Sequence, residues 1–116
     1  RARMLRPFVF TNDFIKRNPD LMELFVKRSL KHPISEEAYR RQLSAVRKFN
    51  AYNRLQQIKV PTLILHGRKD VLIPPENGAI LAEAIPNAKL VYFEKSAHML
   101  AEEMKEVLKV VTQFLL

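Results

Sequence analysis

Apolar residues follow two different rhythms along this chain. In the first half they recur at helical spacing among many charges. A helix is expected from Asn18-Pro19-Asp20 to about Lys31: Asn18 can cap, Pro19 suits the first helical position, and Asp20 favours the positive end of the dipole. His32-Pro33 stops it, and Ser35 with Glu36 and Glu37 opens another helix, whose apolar positions are Tyr39, Leu43, Val46 and Phe49. From Leu55 the rhythm changes. Leu63-Ile64-Leu65 is a continuous apolar run, as a parallel strand covered on both faces requires, and Pro61 marks its beginning. Pro74-Pro75-Glu76 starts a helix with Ile80, Leu81, Ala84 and Ile85 on one stripe, and Pro86-Asn87 ends it in a turn. A second strand follows, and beyond His98 a final helix carries Leu100, Met104, Val107, Leu108, Val111, Phe114 and Leu115 on one face. The expected fold class is α/β, with two parallel strands over about residues 60–66 and 88–93, a crossover helix and a C-terminal helix. Helices precede this unit, which divides the chain into residues 1–54 and 55–116.

That topology gives two polar residues a common address. A right-handed crossover opens both strands' carboxyl ends on one edge of the sheet, where open α/β sheets place ligands. Asp70 follows the first strand and His98 the second, so a carboxylate can orient an imidazole that takes a proton from a hydroxyl or thiol. The third member of such a triad is missing. The chain has no cysteine, and its two glycines, Gly67 and Gly78, flank no serine, so G-x-S-x-G occurs nowhere. Each residue also has a plainer reading: Asp70 as a turn residue after Gly67, His98 as a surface or capping histidine. His66 reads as a strand-end residue bonded to backbone, and His32 as a helix-end cation. Ser96 lies two residues from His98 in one loop, a spacing that provides neither an elbow nor an oxyanion hole.

Composition narrows the remaining choices. The 116 residues, 47% of them hydrophobic, suffice for one domain with a core. Lack of cysteine removes disulfides and thiolate chemistry and fits a reducing compartment; a cytoplasmic location is expected. No apolar run approaches the roughly 18 residues that span a bilayer, and RARMLRPFVF lacks a secretory h-region, so no membrane partner is expected. Three histidines among dispersed carboxylates show no ligand spacing such as H-x-x-x-H, and there is no glycine-rich phosphate loop, so neither a metal nor a cofactor is expected. The net charge of +8 sits entirely in the first half: residues 1–59 hold 14 Lys and Arg against 5 Asp and Glu, residues 60–116 hold 6 against 7. A solvated helical surface accounts for this better than a nucleic-acid partner, since no nucleic-acid-binding motif is present.

VPTLILHGRKDVLIPPENG, then IPNAKLVYFEKSAH, then a helix ending in QFLL, resembles the C-terminal part of an α/β-hydrolase of the small esterase and enol-lactonase type. NPDLMELFVKRSLKHP and RRQLSAVRKFNAYNRLQQI resemble the cap region and its return to the core. The resemblance implies that residues 1–54 are cap-like, that Asp70 is the triad acid and His98 its base. Ala97 stands where a glycine often precedes the family's histidine. The early strands, the nucleophile and the oxyanion donors have no counterpart. The resemblance thus implies a parent that hydrolyses a small-molecule ester, lactone or related acyl bond, and an isolated chain without activity; related folds also host epoxide hydrolases, dehalogenases, haloperoxidases and carbon-carbon hydrolases. Because the chain begins with Arg1, it is expected to be a product, a domain or a portion of something longer. Its partner is then either the missing N-terminal half or a second copy in a homo-oligomer, and the competing function is a non-catalytic self-associating or binding module.

Overall fold

The computed structural model describes residues 2–116. Four helices come first: α1 (Ala2–Val9), α2 (Asn12–Arg17), α3 (Pro19–Lys31) and α4 (Glu36–Lys48), followed by a short 3-10 segment, Tyr52–Gln57. Then β1 (Thr62–Gly67), α5 (Glu76–Ala84) and β2 (Ala88–Phe93) form the crossover unit, and α6 (Met104–Leu115) closes the chain behind a 3-10 turn at Ala101–Glu103. The strands are parallel, in register from Thr62 opposite Ala88 to Gly67 opposite Phe93. The α/β class and the parallel pair are as the apolar pattern requires, with β1 shifted toward its C-terminal end. Pro61 has no N–H for a ladder, Val60 is exposed, and the strand runs on through Gly67.

Two glycines decide how closely the layers approach. A Cβ at Gly78 would lie 2.8 Å from His66 Nδ1 and 3.2 Å from Leu90 Cδ1, so its absence lets α5 settle on the sheet. At Gly67 a Cβ would lie 2.3 Å from the Ser96 carbonyl oxygen and 2.4 Å from that of Ala97. The loop after β2 therefore crosses directly over the end of β1, which brings His98 toward the residues that follow Gly67.

Local signals hold in part. Ser35 Oγ accepts the Ala38 N–H at 3.2 Å as a helix cap, and Asn87 takes a left-handed φ of 60° in the turn before β2. Asn18 does not cap α3; its side-chain N–H donates 2.9 Å backward to the Phe14 carbonyl, closing α2 instead. Leu100 is not part of the final helix: at φ 53° it turns the chain, and α6 starts at Met104.

The apolar faces are only half used. Ile85, Phe93, Ala97 and Val107 are buried around the sheet, and Phe10, Met22 and Val26 among the first three helices, where Phe10 stacks on Phe14 and meets Phe25 edge-on. No residue of α4 is buried, and its Val46 and Phe49 are each 70% exposed. On α6 only Val107 is buried. The accessible surface is 9131 Å², about 2,500 Å² more than the roughly 6,600 Å² expected of a folded monomer of 13.6 kDa. The radius of gyration, 16.3 Å, likewise exceeds the about 13 Å typical of this length. No helix among the described residues is long and apolar enough to cross a membrane.

Candidate active site

Asp70 is buried and fully engaged. Its own N–H turns back to the Gly67 carbonyl at 3.2 Å, and Oδ1 accepts the N–H groups of Leu72 and Ile73, both at 2.9 Å. Oδ2 is left to face His98, whose Nδ1 lies 2.8 Å away. Burial works to raise the Asp70 pKa, but donation from Ile73, from the His98 ring and from Leu72, with the nearby imidazole charge, outweighs it and holds the carboxyl below its ordinary value. An ionised carboxylate only accepts, so His98 Nδ1 carries the proton of this contact, and Nε2 is the nitrogen turned away from Asp70. The His98 side chain is 37% exposed, and its Nε2 has no hydrogen-bond partner among the described residues. A hollow of about 130 Å³ opens beside the ring, lined by Leu65, His66, Gly67, Asp70, Ile73 and His98.

The topology therefore brings Asp70 and His98 together at the carboxyl ends of parallel strands. His66 lies closer to them than its reading as a strand-end residue implies. Its Nε2 is 3.0 Å from the Ile73 carbonyl, the expected backbone bond, and also 3.5 Å from Asp70 Oδ2. Ser96 is wholly buried and its hydroxyl donates to Glu103 Oε2 at 2.8 Å, facing away from the task of a nucleophile. His32 caps the end of α3, exposed.

Sequence reasoning misses the two carboxylates that hold the histidine loop. Glu103 Oε2 also accepts the Lys95 N–H at 2.9 Å, while Glu102 accepts the N–H of Ala97 at 3.4 Å through one oxygen and that of Thr11 at 2.8 Å through the other. The signal available was two acids before an apolar helix, a pattern equally suited to a helix dipole. A separate cleft of about 540 Å³ runs between the helices and Met99, the residue after His98, lined by Phe10, Leu21, Leu24, Phe25 and Arg28. Phe10 lines this cleft, whereas Phe14 faces a separate one together with Arg17 and Lys69.

The depressed Asp70 pKa fixes a sign for pH dependence. The unfolded chain binds a proton to this carboxyl at higher pH than the folded chain does, so the stabilisation is complete above the ordinary aspartate pKa and is lost as pH falls through the folded-state value. Urea midpoints of the native chain are expected to drop across that acidic window, and Asp70→Asn to flatten the drop. Parallel curves for the two proteins would contradict the assignment.

The sequence model of the α/β hydrolase fold family matches residues 1–104. The 2-hydroxy-6-oxononadienedioate/2-hydroxy-6-oxononatrienedioate hydrolase of Cupriavidus pinatubonensis is 32% identical over 116 residues, covering 97% of this chain and 39% of that protein. A pimeloyl-[acyl-carrier protein] methyl ester esterase of Legionella pneumophila is 35% identical over 68 residues, 59% of this chain and 28% of its own length. Among solved structures, the enol-lactonase of Burkholderia xenovorans LB400 superposes with a TM-score of 0.86 at 28% identity, covering 98% of this chain and 43% of that one. The chain thus spans well under half the length of these relatives.

Proposed function

The chain belongs to the α/β hydrolase fold family, and from that membership we propose that it supplies the acid and the base of a Ser-His-Asp hydrolase whose nucleophile lies on polypeptide outside these residues. The observation that carries this reading is the 2.8 Å contact between His98 Nδ1 and Asp70 Oδ2, with the other Asp70 oxygen saturated by backbone. Held this way, Nε2 accepts the proton of a serine hydroxyl as its oxygen attacks an acyl carbon. It then returns that proton to the departing alcohol or enol, and Asp70 balances the transient imidazolium. Water then attacks the acyl carbon and gives its proton to the same nitrogen, which passes it to the serine oxygen as the acyl–serine bond breaks and the acid departs. Carboxylic esters, lactones and related acyl compounds are the substrates proposed, with an apolar portion lying in the Phe10, Leu24 and Met99 cleft. In this reading residues 1–54 form a cap over the reaction centre and residues 55–116 the end of the core.

A chimera tests the proposal. This chain replaces the corresponding C-terminal portion of the Burkholderia xenovorans enol-lactonase, and ester hydrolysis is assayed with and without His98→Ala. Turnover that vanishes with the substitution is the expected result; a cooperatively folded chimera whose turnover ignores His98 would sink the proposal.

The excess surface favours a second feature of the same reading. Among the described residues the sheet has two strands, so β1 keeps one edge unpaired beside exposed Ile80, Leu81 and Leu108. Such an edge and such faces invite strand addition and association. In isolation the chain is expected to self-associate, a second copy covering the surface that upstream polypeptide would otherwise cover. Sedimentation equilibrium decides: a monodisperse monomer at high concentration would contradict it.

A further inference from the structure

The loop that carries His98 is gripped on both sides by one short stretch of the helical region. Immediately before the histidine, the Ala97 N–H donates to Glu102 Oε2 at 3.4 Å, and the other oxygen of that carboxylate takes the Thr11 N–H at 2.8 Å. Immediately after it, the Met99 N–H donates to the Val9 carbonyl at 3.0 Å. Val9 ends α1 and Thr11 caps α2 through its hydroxyl, which accepts the Phe14 N–H at 3.2 Å. Residues 9–11 therefore form a joint between the helices, and the joint is tied to both neighbours of His98.

From this arrangement we infer that Glu102 is a positioning residue that makes the placement of the His98 ring depend on the placement of the α1–α2 joint. The inference rests on His98 being the base, and adds how that base is held. An ionised carboxylate has the acceptor capacity for two N–H groups at once; the 2.8 Å bond from Thr11 has the length of a charge-assisted bond, and the 3.4 Å bond from Ala97 is the longer and weaker of the two. A glutamine at the same place keeps the volume but offers one oxygen, so it serves Thr11 or Ala97, and its NH₂ opposes the other donor. Glu103 provides the contrast. Its bonds to Lys95 and Ser96 stiffen the loop from within, whereas Glu102 joins segments 91 residues apart in sequence. A hydrogen bond weakens steeply once its geometry is lost, so displacement of the joint transmitted through Ala97 changes the His98–Asp70 contact that fixes the tautomer. Rearrangement of the helices would thus switch the base between an oriented and a free ring.

Imidazole ¹⁵N and ¹H NMR of the intact chain reads this without any catalysis. The native protein is expected to show His98 as the Nδ1–H tautomer with a slowly exchanging ring proton. Glu102→Gln should speed exchange of that proton about tenfold, the scale set by one charge-assisted hydrogen bond, while the buried His66 ring keeps its native signal and certifies the fold. Asp70→Asn should abolish the His98 signature altogether. If Asp70→Asn abolishes it but Glu102→Gln leaves exchange at the native rate, the positioning role is overturned and the acid-base pair stands. Equal disturbance of His98 and His66 by Glu102→Gln also overturns it, since Glu102 would then hold the fold as a whole. A signature indifferent to Asp70→Asn overturns both.

Discussion

In an assembly that supplies a serine beside Nε2, His98→Ala is expected to lower kcat by about 10⁴-fold, and Asp70→Asn by a comparable factor. The two losses have different origins. Alanine removes the group that takes and returns the proton. Asparagine keeps its size, but its amide can present an N–H to Nδ1 in place of the carboxylate oxygen that stands 2.8 Å away, which favours the tautomer with its lone pair on the wrong nitrogen. Because the two residues act as a unit, the double variant should lose little more than either single one. In the isolated chain the same substitutions should leave p-nitrophenyl acetate hydrolysis unchanged, since the sequence contains no G-x-S-x-G elbow to place a nucleophile against the base. Single-turnover and steady-state rates measured with the chimera and with the isolated chain separate these cases. A large effect of His98→Ala in the isolated chain would reveal a working site built from some other nucleophile.

How much of this was legible in the sequence depends on the range of the interactions involved. The crossover unit could be read because its signals are local: an unbroken apolar run, prolines at the element starts and a turn at Asn87. Two parallel strands put Asp70 and His98 at one edge of the sheet, but their contact also needs the loop after β2 to pass closely over Gly67, which no local signal announces. The helical starts were less secure. The Asn18 side chain closes α2 rather than capping α3, although its carbonyl still accepts the Met22 N–H that begins α3, a choice that the sequence of α3 does not encode. Periodicity says that a face is apolar without saying what covers it, so the stripe on α4 was legible and its exposure was not. The role of Glu102 was least accessible, because its two partners, Thr11 and Ala97, are far apart in the chain and are backbone groups, which leave no trace in residue type.

Gly67→Ala is expected to destabilise the chain by about 3 kcal/mol, a severe overpacking effect. The added Cβ would lie 2.3 Å and 2.4 Å from two successive carbonyl oxygens, of Ser96 and Ala97, and neither can swing aside as a side chain would. To make room, the loop after β2 must lift from the end of β1. That movement breaks the bond from the Lys69 N–H to the Ser96 carbonyl, now 3.0 Å, and draws His98 away from Asp70. Gly78→Ala makes the useful comparison. Its Cβ would meet a side-chain atom, His66 Nδ1, at 2.8 Å, and a modest rotation of that ring relieves the contact, so the cost should be smaller. Urea denaturation of both variants measures the difference, and the His98 ring proton reports its cause: lost in Gly67→Ala even under conditions where the protein remains folded, retained in Gly78→Ala. Equal midpoints for the two variants would show that the close passage of the loop over β1 is not what holds the acid and the base together.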